Sequence, residues 1–109
     1  MTGRADVLQG TLDLLILKSL QLEPLHGWAI SKRIRQLSRD VLHINQGSLY
    51  PALYRLEDQR LVASAWGTSP EGRRAKFYRL TTPGKKRLAT ARAEWDTFTA
   101  AVTHVLDAD

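Results

Sequence analysis

The last quarter of the chain permits few structures. Thr81-Thr82-Pro83-Gly84 sets a threonine N-cap ahead of a proline in the first turn of a helix. From there Leu88, Ala91, Trp95, Phe98, Val102 and Val105 recur at alternating spacings of three and four, the seam of a coiled coil. A helix running on to about Leu106 has roughly 24 residues and a length of about 36 Å, more than a small compact domain can cover. An exposed seam holding Trp and Phe is a liability in a monomer. The spacing therefore predicts a homodimer joined through this helix, with those six residues at the interface.

The remaining sequence must supply the body. With 109 residues the chain makes one domain with an appended element, read as residues 1–82 and a pairing helix at 83–109. A chain of this size buries a core without staples. It contains no cysteine, which excludes thiol catalysis, zinc fingers and a disulfide scaffold and suits a reducing cytoplasm. No signal peptide is visible. The apolar run 12–17 is broken by Asp13 and followed by Lys18, far short of a membrane span.

Charge points to a polyanionic partner. The net charge is +5 and the pI about 10. Eight basic residues and no acidic one lie between Arg73 and Ala93, and four basic residues stand between Pro24 and Arg39, again without an acid.

A first helix is expected over residues 8–22, with Leu8, Leu12, Leu15, Ile16 and Leu22 on one face and Leu14 and Leu17 on another. An apolar second face suits a helix wedged between its own core and a second subunit, which adds Leu14 and Leu17 to the expected dimer interface. Residues 1–6 read as frayed. After Glu23-Pro24, a second helix over 27–38 is expected to bury Ile30, Ile34 and Leu37 while Lys32, Arg35 and Arg39 face outward. Residues 41–44 read as a short extended link with the potential for a single bridge.

A third helix begins near Gly47, with Pro51 tolerated because it lies close to the start. Leu49, Ala52, Leu53 and Leu56 cluster inward; Gly47, Pro51, Tyr54 and Arg55 cluster outward; Ser48 and Tyr50 flank them. Residues 61–66 and 76–80 read as strands joined through Gly67-Thr68-Ser69-Pro70-Glu71-Gly72. Three helices, a basic hairpin and a long helix make a mainly α winged helix-turn-helix. Its third helix suits the DNA major groove and its hairpin an adjacent phosphate or the minor groove. Small or flat groups at the helix start let the backbone approach, and Tyr54, Arg55, Gln46 and Asn45 offer reach and hydrogen bonds.

Four segments carry a family resemblance: residues 8–17 (LQGTLDLLIL), 24–28 (PLHGW), 47–57 (GSLYPALYRLE) and 73–81 (RRAKFYRLT). In this order they resemble the PadR family of transcriptional regulators over about residues 8–100, and the short end resembles the subgroup with a single dimerisation helix. The resemblance implies a dimeric bacterial repressor in the cytoplasm, associated with the nucleoid, that binds a palindromic operator and often senses a small molecule. It carries the recognition role onto Gln46, Ser48, Tyr50, Pro51, Tyr54 and Arg55, and the wing role onto Arg73, Arg74 and Lys76. Lys32 and Arg35 are added as phosphate contacts, and Arg79 as a residue that reads DNA or braces the hairpin.

Some PadR-like proteins stack flat ligands on a Trp at the place of Trp95, so this residue is expected in the dimer seam and as an effector contact. The sequence departs from the family at Glu23, where Gly is common, and at Tyr54, where His is frequent. Gln59-Arg60 stands where a Gly usually follows the recognition helix, which places Arg60 in a left-handed conformation.

Catalysis has little support. His26, His43 and His104 lack metal-ligand spacing and read as turn or surface residues, Asp6 and Asp13 make no acid pair with a nucleophile, and Lys85-Lys86 lacks a phosphate-loop framework. No catalytic residue, metal or cofactor is expected. The competing reading is a winged-helix protein-interaction module that does not touch DNA.

Overall fold

The computed structural model describes the backbone of residues 4–109 and the side chains of residues 10–109. Of the expected fraying of residues 1–6, residues 1–3 lie outside those described, while residues 4–6 already belong to the first helix; the orientations of Asp6 and Leu8 also lie outside. The chain forms α1 (Arg4–Ser19), β1 (Leu25–His26), α2 (Gly27–Leu37), α3 (Gln46–Asp58), β2 (Val62–Thr68), β3 (Arg74–Leu80) and α4 (Thr82–Leu106). The principal extents, 57 × 29 × 24 Å, reflect α4 running past the body.

The caps explain where the helices start. Asn45 accepts from the Ser48 amide at 2.8 Å and opens α3 one residue before the expected glycine. Thr81 accepts from the Gly84 amide at 3.0 Å and opens α4 as its sequence predicts. His26 caps α2 through Nδ1, which accepts from Ala29. It is a cap as well as a turn residue.

Two helices end in the same way. After α3, Leu61 N–H donates to Leu56 and Arg60 N–H to Glu57, with Arg60 left-handed at φ 62°. After α2, Asp40 donates to Arg35 and Arg39 to Gln36, with Arg39 at φ 55°. Both are Schellman endings built without glycine, at a cost of about 1–2 kcal/mol each.

The core joins α1, α2, α3 and the sheet: Ile16, Leu17, Leu20, Ile30, Ile34, Leu49, Leu53, Leu56, Val62 and Tyr78 are buried. Burying a side chain of this size contributes about 1.5–3 kcal/mol. Three expectations about burial fail. Leu17 is 1% exposed and belongs to this chain's own core, so it offers no surface to a partner. Leu22 lies beyond the end of α1 and is exposed, and Leu37 at the last turn of α2 is also exposed. α1 stops before Leu22 can follow its apolar face, and α2 stops at Leu37, so that its last turn stands clear of the core.

The sheet has the order β1-β3-β2, antiparallel throughout. β1 pairs Leu25 with Tyr78 and His26 with Phe77. Residues 41–44 make no strand. The wing is longer than expected, because pairing continues outward through Trp66–Lys76 to Thr68–Arg74. Gly84 fastens α4 to the start of this hairpin, where a Cβ would stand 1.9 Å from the Leu61 carbonyl oxygen.

Candidate nucleic-acid interface

The outward edge of α3 carries the expected leading residues. Gln46, Gly47, Ser48, Pro51 and Tyr54 are exposed, whereas Leu49, Ala52, Leu53 and Leu56 hold the helix to the core. Tyr50 is half-buried, with its ring against Gly27: a Cβ there would lie 2.5 Å from the Tyr50 hydroxyl. The glycine at the start of α2 thus makes room for a side chain of α3 and fixes how the two helices of the helix-turn-helix meet.

Arg55 is placed differently from its expected role. Its guanidinium donates to the Asp13 carboxylate of α1 at 2.6 Å, and both side chains are mostly covered. Burial pushes the Asp13 carboxyl above its ordinary value, against the lowering influence of Arg55 and Arg87. Arg55 is a strut between α1 and α3, not a free reader of bases. The sequence carried a signal for this contact, since a single acid inside the apolar run of α1 calls for a buried cation.

Along β2 and β3, alternation sorts the side chains. The directly paired Trp66 and Lys76, Ser64 and Tyr78, and Thr68 and Arg74 share one face, while Arg79 stands on the other with Phe77 and Ala63. The Trp66 face turns toward α3. Tyr78 is buried there, and burial pushes its phenol up to about 12. Ser69 closes the wing tip by accepting from the Arg73 amide at 3.2 Å, and Gly72 supplies the positive φ of 82° that the turn needs.

Between α3, the start of α2 and the wing lies an open cleft of about 710 Å³. Tyr50 and Tyr54 form one wall, Trp66, Arg73, Arg74 and Lys76 the other, and His26, Gly27 and Trp28 the end. The cations are not equivalent. Arg73 and Arg74 are exposed, whereas Lys76 is half-covered and lies 3.7 Å from Glu57. On α2, Lys32 is exposed, and Arg35 is held by Asp40 at 2.5 Å, which lowers the Asp40 carboxyl below its usual value. Tyr50 and Tyr54 of the expected recognition residues and Arg73, Arg74 and Lys76 of the wing therefore border one concavity, whereas Gln46, Ser48, Pro51, Arg55, Lys32 and Arg35 are not part of its lining.

The expected pairing surface runs along α4 and α1. Leu88 is 8% exposed and completes the chain's own core. Ala91 and Trp95 are half-covered, and Phe98, Val102 and Val105 are exposed. Leu14 is half-covered and, with Trp95, borders hollows on both sides of the α1–α4 contact. Among the described residues there is no group of metal-ligating side chains, and no helix is long and apolar enough to cross a membrane.

Comparison with known proteins gives a consistent picture. Residues 16–90 match the model of the transcriptional regulator PadR-like family. An uncharacterized protein of Lysinibacillus sphaericus is 30% identical over 104 residues, covering 95% of this chain and 92% of its own. A solved transcriptional regulator from Clostridium thermocellum superposes with a TM-score of 0.81 at 30% identity, covering 91% of this chain and 96% of that one. A solved PadR family transcriptional regulator from Eggerthella lenta gives 0.77 at 32% identity, with 96% and 89% covered.

Proposed function

Since this chain belongs to the PadR-like family of transcriptional regulators, we propose that it is a homodimeric repressor that binds an inverted-repeat operator through α3 and the wing. One observation carries the reading: Tyr50 and Tyr54 of α3 and the exposed Arg73 and Arg74 of the wing border the same cleft, and the residues that open α3 are exposed. Gln46, Ser48, Pro51 and Tyr54 meet base edges or the groove walls. Arg73 and Arg74 take phosphates, helped by Lys76, Lys32 and Arg35, and Tyr50 sets the position of α3.

Residues 1–82 then carry the DNA and 83–109 the partner. Pairing through Ala91, Trp95, Phe98, Val102 and Val105 covers the exposed part of the seam, and Leu14 extends it onto α1. The protein works on cytoplasmic DNA. A small-molecule effector is supported by the hollow of about 420 Å³ between α1 and α4, which Leu14, Leu15, Leu88 and Trp95 line together with Lys18, Lys85 and Arg92.

The test is the salt dependence of operator binding. Replacing Arg73 and Arg74 with Ala removes up to four phosphate contacts from a dimer. The slope of log affinity against log salt then falls by roughly 3 to 4. An unchanged slope contradicts the wing assignment. A protein that binds no duplex but holds another protein through α4 returns the reading to an interaction module.

A further inference from the structure

The cleft between α3 and the wing contains more aromatic surface than phosphate binding requires. All three tyrosines of the chain and two of its three tryptophans line it. Trp28 and Trp66 are 52% and 62% exposed, at its end and on its wing wall. Each carries a cation on its ring face: the Lys32 ammonium lies 5.0 Å from the Trp28 ring, and the Arg74 guanidinium 4.8 Å from the Trp66 ring. The Trp28 ring is backed in turn by His26, stacked at 6.3 Å.

We infer that this cleft seats the sugar–phosphate backbone of one DNA strand, with Trp28 and Trp66 as positioning residues that aim Lys32 and Arg74 at phosphates while their rings cover the deoxyribose between. The inference rests on the DNA-binding reading above and goes beyond it by assigning the strand's path and two residues that no charge argument selects. A backbone strand alternates anionic phosphates with apolar sugar faces. The cleft offers a matching ring and cation in Trp66 and Arg74, and at its end Trp28, whose Lys32 borders the adjoining hollow on α2.

A guanidinium free in solvent loses several rotamers when it meets a phosphate. One already lying on an indole loses fewer, so the ring strengthens a contact without adding charge. The cleft's carboxylate among the described residues, Glu71, sits at the wing tip and is engaged by Ser69 and its own backbone amide. The charge of Lys32 also acts on it, so the Trp66 wall with Arg73 and Arg74 is the more cationic of the two.

Two measurements on the full-length protein test this. In single-tryptophan variants, W28F with W95F leaves Trp66 as the reporter, and W66F with W95F leaves Trp28. With a random-sequence duplex at low salt, anisotropy of labelled DNA shows that the complex has formed, and acrylamide quenching reads indole exposure within it. Both reporters are expected to be shielded in the complex. Separately, Trp66→Ala is expected to weaken duplex binding by a dimer roughly 5- to 30-fold with the salt slope unchanged, because Arg74 is still present, and Trp66→Phe to restore much of the loss. A complex that forms while both indoles stay as accessible as in the free protein overturns the strand path and leaves the DNA-binding reading intact. Absence of any complex overturns both.

Discussion

Removing Arg55 separates a strut from a reader. The guanidinium meets Asp13 at 2.6 Å, with 32% and 23% of the two side chains exposed. Breaking a fully buried ion pair by deleting one partner costs about 3–5 kcal/mol. With water reaching a quarter to a third of this pair, about half of that is expected, or roughly 1.5–2.5 kcal/mol for Arg55→Ala. For a domain of this size the melting temperature falls by about 10 °C.

The loss has a pH signature. Burial raises the folded Asp13 carboxyl above its ordinary 3.8. The contribution of that group is therefore full below the unfolded value and is lost as pH rises through the folded one. Arg55→Ala removes the main lowering influence and moves the folded value further up. The variant's deficit thus grows as pH rises above the ordinary carboxylate range. Adding Asp13→Asn removes the stranded charge and recovers much of the loss at neutral pH. The assay is urea unfolding at fixed protein concentration, since pairing couples stability to concentration. A loss below about 0.5 kcal/mol at neutral pH, combined with altered base preference, refutes the strut and reinstates Arg55 as a reader.

Other substitutions probe the α4 anchor, the buried Tyr78 and the pairing seam. Gly84→Ala drives a Cβ into the Leu61 carbonyl oxygen, which also accepts from Thr81 N–H and Oγ1–H. A loss of about 2–4 kcal/mol by thermal unfolding is expected from the backbone shift and weakened hydrogen bonds. Tyr78 holds its proton to about 12 when folded against 10.0 unfolded, so stability declines as pH rises from 10 to 12. That decline is expected to shrink in Tyr78→Phe when denaturation is followed across the window. Phe98→Asp with Val102→Asp places charge on the exposed half of the α4 seam, and light scattering is expected to show monomers while circular dichroism of the body is retained.

The sequence was most legible where local chemistry and periodicity agreed. Thr81 with Pro83 marked the start of α4, and the inward leucines of α3 were assigned correctly because that helix is capped at Asn45 and runs through them. The left-handed turn at Arg60 was visible as a missing glycine. Less legible were features set by tertiary contact. β1 is two residues long and exists because Tyr78 and Phe77 offer an edge, so it has no periodic signal of its own. Leu22 matches the helical wheel but lies beyond the end of α1, and Leu37 is the last residue of α2, at the exposed end of its face. Arg55 points outward on a wheel for α3 alone, yet α1 crosses that flank and presents Asp13 to it.

Selection of bound sequences from random DNA by the purified protein tests directly whether the dimer reads an inverted repeat. Two copies of α3 held by paired α4 helices are expected to enrich an inverted repeat with half-site centres about 10 base pairs, or one helical turn, apart. Recovery of no sequence above background, or of a single unrepeated half-site, contradicts it.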